Sequence, residues 1–239
     1  MNISIIIPAY NEKENVLKLA VDILKKIKDA DILIVDDSKE DIISEKIKKI
    51  PNAKHIFRGK KLGRGSAVLE GLNYLIKNSN SEIFIEMDAD YSHNPNELEK
   101  NLKLFQYKNY DLLISSRYLP NSEILNWPIG RKIFSYFANL LARFLLRVPV
   151  TDYTNGYRIY SKKAANHINS NCGKIGDGFI ILSEILVELY YNNFKIGETN
   201  CKFINRTRGE SSVNFSEILN SLTGLIKIYR LKNKIQKRS

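Results

Sequence analysis

The stretch Ile83-Phe84-Ile85-Glu86-Met87-Asp88-Ala89-Asp90-Tyr91-Ser92-His93-Asn94-Pro95 decides how this chain is read. Its first three residues form a short apolar run, as in a buried strand. Asp88 and Asp90 therefore fall at or just past the strand's carboxyl end, where open α/β sheets place their ligands. Two carboxylates one residue apart can give hard oxygen ligands to Mg²⁺ or Mn²⁺, leaving other coordination positions for water and a substrate diphosphate. Taken alone, a D-x-D is more often an acidic turn before an Asn-Pro helix start. The surrounding chain removes that ambiguity.

Upstream, residues 2–8 are a nearly continuous β-branched run stopped by Pro8, the pattern of a strand covered on both faces. Val16, Leu19, Ala20, Ile23 and Ile27 then recur at helical spacing. Residues 31–35 repeat the strand pattern and end in Asp36-Asp37, and a short helix is expected over 42–50. Residues 58–66 form a basic, glycine-punctuated loop leading into a helix over 67–77; backbone N–H groups at a helix start, beside Lys60, Lys61 and Arg64, suit phosphate. The spacing is not that of a Walker loop.

Downstream, the pattern gives a helix over 95–105 and a strand over 111–115 that ends in Ser116-Arg117-Tyr118. Strands and helices alternate, which argues for a mainly parallel sheet flanked by helices, an α/β fold. Residues 121–128 read as an irregular loop holding the single tryptophan, Trp127. Residues 131–147 are strongly apolar with basic margins and fit either a core helix or a helix lying near lipid. Further elements are a helix over 179–191, a strand over 195–204, a basic loop over 205–212 and a final basic amphipathic helix from about residue 216. We read one domain over 1–212 and a C-terminal helix and tail over 213–239.

The formal net charge of +11 requires an anionic partner to be considered: nucleic acid, an anionic membrane surface or phosphorylated substrates. No nucleic-acid-binding module is recognisable, so none is expected as partner. No run approaches a membrane span, the N-terminus does not resemble a signal peptide, and Cys172 and Cys201 form no metal spacing. These features suit the cytoplasm.

Six motifs occur in matching order over residues 3–212: Pro8-Ala9-Tyr10-Asn11-Glu12, Val35-Asp36-Asp37, Leu62-Gly63-Arg64-Gly65, Met87 to His93, Ser116-Arg117-Tyr118 and Thr154-Asn155-Gly156-Tyr157-Arg158. Together they resemble glycosyltransferase family 2, in the branch of dolichyl-phosphate mannosyltransferases and polyprenyl-phosphate glycosyltransferases. The resemblance implies a GT-A fold, a single Rossmann-like nucleotide-sugar-binding domain. It also implies inverting transfer of a hexose, mannose above all, from a nucleotide diphosphate sugar to a dolichyl or polyprenyl phosphate. By the same resemblance Pro8, Tyr10, Glu12, Val35 and Asp37 hold the nucleoside, while Asp88, Ala89 and Asp90 hold metal and diphosphate. Arg117 and Arg206 lie at the donor and acceptor phosphates, and Arg131, Ser135 and Asn139 meet the lipid phosphate. Asp90, Arg117, Arg131 and Arg206 are then the catalytic candidates.

Two departures leave GDP-mannose and a UDP-hexose both open as donor. The segment after Val35 lacks the usual glycine, and Ser212 stands where the mannosyltransferases have lysine. A second reading is transfer to a saccharide or protein hydroxyl with Asp152 as base. A lipid acceptor implies a peripheral position on the cytoplasmic face of a membrane, with a separate membrane subunit as a possible partner.

Overall fold

The computed structural model describes residues 2–176, 178, 180–205 and 215–237, without the side chains of 215–222. Strand β1 (Ile3–Ala9) leads to helix α1 (Lys13–Lys26) and then to β2 (Asp31–Asp36), a one-turn α2 (Ser44–Ile47) and β3 (Ala53–Phe57). Helix α3 (Arg64–Asn78), strand β4 (Ile83–Glu86), α4 (Leu98–Lys108) and β5 (Leu112–Ser116) follow. The second half holds β6 (Glu123–Leu125), α5 (Ile129–Leu146), β7 (Arg158–Ser161), α6 (Lys162–Asn171), α7 (Ile180–Tyr191), β8 (Ile196–Asn200), β9 (Lys202–Ile204) and α8 (Phe215–Gln236).

Seven strands form one sheet in the order β3-β2-β1-β4-β7-β5-β8, and β6 and β9 make a separate parallel pair. All pairings in the main sheet are parallel except those of β7, which runs antiparallel between β4 and β5. The chain turns from one flank of β1 to the other between β3 and β4, so a topological switch point lies at the carboxyl ends of β1 and β4.

Alternation along each strand divides the core. Ile5, Ile7, Ile32, Ile34 and Ile85 join α1 and α4 on one face, whereas Ile6, Leu33, Val35 and Phe84 join α3, α6 and α7 on the other. This explains why β1 and β2 read as continuous apolar runs. Helix α3 lies so close to β1 that a Cβ on Gly71 would come within 2.7 Å of Ile6 Cγ2. The α8 side chains of Leu225, Ile228 and Ile235 are buried in the second cluster.

Several expectations are corrected here. The span 42–50 holds one helical turn, Ser44–Ile47, with Ile43 and Ile47 buried, and the chain turns before Pro51. Strand β3 was not anticipated: it is an edge strand whose exposed Lys54 and half-buried His55 interrupt the apolar pattern. The expected 195–204 strand is two strands in different sheets, and part of the 121–128 loop is β6. Strand β7 lacks an apolar run, because a buried Arg158 and Tyr160 carry it.

Candidate active site

The first half of the site is built on β1 and β2. Pro8 and Val35 sit opposite each other in register, and beyond them a cleft of about 300 Å³ is lined by Tyr10, Asn11, Ser38, Lys39, Glu40 and Ile42. Asp36 holds this rim: its Oδ1 accepts the Ser38 backbone N–H and hydroxyl, and Ser38 Oγ accepts the Asn11 N–H at 2.9 Å. Glu12 precedes α1 and accepts from Asn15 at 2.8 Å. Asp37 faces the other way. It pairs with Arg58 and accepts the Leu62 and Gly63 N–H groups at 2.9 and 2.8 Å, so it fixes the 58–63 loop beside the cleft.

The D-x-D follows β4. Ala89 is buried, Asp90 Oδ1 accepts the Ser92 N–H at 3.0 Å, and Tyr91 between them takes φ 60°, the left-handed region. Asp88 Oδ1 accepts Nε and Nη2 of Arg64 at 2.8 and 2.7 Å. Burial of Asp88 opposes its charge, but the Arg64 guanidinium outweighs that and holds the carboxyl below the usual range. The Asp88 N–H donates to His93 Nδ1 at 3.1 Å, so the proton of a neutral ring sits on Nε2, which donates to Asn155 Oδ1 at 2.9 Å. Arg64 was expected to face phosphate with Lys60 and Lys61; its guanidinium instead bridges Asp88 and Glu86.

The opposite wall comes from β5, α5 and the loop before β7. Arg117 is buried against Asp152, with Nε and Nη2 each 2.8 Å from a carboxylate oxygen and Nη2 2.6 Å from Thr154 Oγ1. Asp152 also accepts the backbone N–H groups of Arg117, Thr154 and Asn155. Burial opposes the Asp152 charge, and Arg117 more than offsets it, holding the carboxyl below its ordinary range. A carboxylate so occupied is a poor base, which weighs against the hydroxyl-acceptor reading.

Two guanidinium groups approach the Trp127 ring, Arg131 at 4.2 Å and Arg117 at 5.3 Å from its centre. Its indole Nε1 is buried without a hydrogen-bond partner among the described residues. Arg131, Ser135 and Asn139 recur every four residues along one stripe of α5. Arg131 also donates to Asn205 at 3.2 Å, Ser135 accepts the Tyr118 hydroxyl at 2.6 Å, and Asn139 is buried, accepting the Tyr153 N–H at 2.7 Å. Asn139 therefore shapes the loop that holds Asp152.

The two walls are connected: Asp88 to His93, His93 to Asn155, Asn155 to Asp152 and Asp152 to Arg117. Arg206 and Ser212 lie outside the described residues. Trp127 and His93 hold places in the site that the sequence patterns do not assign to them, and Arg64 takes one other than the phosphate contact those patterns imply. The signals were present, as the single tryptophan four residues before Arg131 and as the histidine closing the D-x-D motif.

An open α/β sheet with a cleft and paired carboxylates at its switch point defines a nucleotide-binding architecture. The glycosyl transferase family 2 model matches residues 4–168. The polyprenol monophosphomannose synthase of Mycolicibacterium smegmatis is 33% identical over 219 residues, covering 90% of this chain and 82% of that one. The dolichol-phosphate mannosyltransferase of Pyrococcus furiosus is 30% identical over 244 residues, covering 99% of this chain and 66% of that one. Glucosyl-3-phosphoglycerate synthase from Mycobacterium tuberculosis, solved with Mn²⁺, UDP-glucose and phosphoglyceric acid, superposes with a TM-score of 0.66 at 17% identity over 95% of this chain and 79% of that one. The chain belongs to glycosyltransferase family 2, and its fold is GT-A-like.

Proposed function

We propose that this enzyme moves a mannosyl group from a nucleotide diphosphate sugar to the phosphate of a polyprenyl or dolichyl lipid, with inversion, at the cytoplasmic face of a membrane. The two relatives named for mannose transfer to such lipids support the substrate class. The observation that carries the reading is the pair Arg117 and Arg131 around Trp127, facing an acceptor side on which Asp152 is already spent.

A phosphate monoester has a second pKa of about 6 and is mostly dianionic at pH 7, so the acceptor needs no protein base. Arg131, stacked on Trp127, and Arg117, pinned by Asp152, orient that phosphate and offset its repulsion from the donor diphosphate. Tyr10 and the Asn11–Ser38 rim bind the nucleoside end.

Asp88 and Asp90 offer hard oxygens that fit a divalent cation, and the Ser92 hydroxyl beside them is buried without a partner among the described residues. Asp88 and Asp90 would hold Mg²⁺ or Mn²⁺, which would supply Lewis-acid neutralisation of the nucleoside diphosphate. Arg206 and Ser212 belong to the donor end in this reading.

The test is product analysis with GDP-mannose and UDP-hexoses against a short polyprenyl phosphate and the matching polyprenol. We expect β-linked mannosyl phosphate lipid from GDP-mannose and no product from the alcohol. Equal use of the alcohol would overturn the phosphate-acceptor reading.

A further inference from the structure

Arg64 opens α3, yet its side chain is only 12% exposed and reaches into the end of β4. Nη1 pairs with Glu86, a carboxylate of zero exposure whose other oxygen accepts the Tyr160 hydroxyl at 2.7 Å. Nε and Nη2 converge on one oxygen of Asp88, and Nη2 lies 3.4 Å from the Gly156 carbonyl. Gly156 has no positive φ, so its backbone does not require glycine. A Cβ there would instead overlap the Arg64 guanidinium. The glycine is room for the arginine, and three segments are fitted around one side chain.

This arrangement works against a bare cation. Arg64 occupies Asp88 Oδ1 and cancels much of the negative potential a divalent ion needs. Among the described residues no group of three or more His, Cys, Asp or Glu side chains is placed to hold a metal ion. The protein therefore offers an incomplete and partly neutralised ligand set, and the missing oxygens and charge must come with a diphosphate.

We propose that Arg64 is a positioning residue that keeps Asp88 paired, so that the divalent cation is held tightly only together with the nucleoside diphosphate. This rests on the reading of Asp88 and Asp90 as the cation ligands. Its effect is order: the donor arrives with its metal, and the free enzyme does not carry the ion.

Titration of Mn²⁺ followed by its free electron-paramagnetic-resonance signal tests this on the full chain, with and without GDP or UDP. Wild-type protein should bind Mn²⁺ weakly alone and at least about tenfold more tightly with a nucleoside diphosphate. Arg64→Gln removes a neighbouring positive charge and should bind bare Mn²⁺ about tenfold more tightly than wild type, shrinking the nucleotide effect. Arg64→Lys keeps the charge without the fork and should fall between them. Gly156→Ala displaces the guanidinium while leaving it in the chain, and it should shift bare affinity in the same direction. It carries the test with Arg64→Lys if Arg64→Gln does not fold around the buried Glu86. Unchanged or weaker bare Mn²⁺ affinity in the folded variants overturns the role of Arg64. Failure of wild type to bind Mn²⁺ with either nucleotide overturns the Asp88 and Asp90 reading as well.

Discussion

Asp88 and Asp152 are both held ionised by an arginine, and what each pairing leaves over separates their roles. Asp152 has no exposure and gives its oxygens to Arg117 and three backbone N–H groups, whereas the Asp88 side chain is 23% exposed and its Oδ2 is 3.6 Å from His93 Nε2. Asp152→Asn should therefore act on stability, since breaking a buried pair costs roughly 3–5 kcal/mol. The sign with pH follows from its depressed folded pKa. The pair stabilises above the unfolded value near 3.8 and is lost as pH falls through the lower folded value, so Asp152→Asn should flatten the acid limb of a melting-temperature profile below about pH 4. An unchanged acid limb would count against the pairing. Asp90→Asn should instead lower kcat by on the order of 100-fold with little change in melting temperature; full activity, or full wild-type activity in EDTA, would remove its metal role. Arg131→Lys loses both the planar fork and the stack on Trp127, and a rise of about tenfold in the KM for the lipid phosphate is expected. The D-x-D was legible because residue type and strand-end position coincide. The pairing of Arg64 with Asp88 and of Arg117 with Asp152 was not, because the partners lie 24 and 35 residues apart and only the sheet brings them together.

At the level of elements, helix α5 was ambiguous in sequence because apolar residues surround much of its circumference, a pattern shared by buried and lipid-facing helices. The structure separates the two faces. Asn139, Ala142 and Leu146 are buried, while Ile133, Phe134, Phe137, Leu140 and Phe144 are exposed, Phe137 by 60% and Phe144 by 76%. So large an apolar strip, beside the stripe that carries Arg131, suits the hydrocarbon boundary of a lipid acceptor. Among the described residues no helix is long and apolar enough to cross a membrane. Phe137→Asp with Phe144→Asp should greatly reduce cosedimentation with liposomes, since each phenylalanine inserted into lipid contributes about 1.5–3 kcal/mol, and should leave the melting temperature nearly unchanged because both side chains are exposed in the fold. Wild-type protein that never sediments would point to a separate membrane subunit. Strands β6, β7 and β9 have three or four residues each, too few for periodicity to register, whereas the five-residue β3 is hidden by Lys54 and His55 breaking its apolar pattern.

The whole molecule carries a formal charge of +11, and the alternation of strands and helices had already indicated its sheet. The antiparallel insertion of β7 was beyond that pattern, yet it matters, because it delivers Asp152, Asn155 and Gly156 to the site. Exposed positive charge lies on and after both helices: Arg143 and Arg147 at the end of α5, and Lys227, Arg230, Lys234 and Lys237 toward the C-terminus. Lys232 is an exception to the basic tail read from sequence. It is buried, and its Nζ donates to the Leu145 carbonyl at 3.1 Å, joining α8 to the C-terminal end of α5. Truncation beyond Tyr229 would therefore remove Lys232 and the buried Ile235 as well as exposed charge, and it would confound folding with binding. Substitution separates them. Each basic residue near an anionic leaflet contributes about 1 kcal/mol, so Lys234→Gln with Lys237→Gln should weaken partitioning onto anionic liposomes roughly 30-fold at low salt. Screening acts over about 10 Å at 0.1 M and about 3 Å at 1 M, so the variant and wild type should converge as salt rises, with the apolar strip supplying what remains. Equal partitioning of the two proteins at low salt would show that these lysines face away from the bilayer and would leave the apolar strip of α5 as the sole contact.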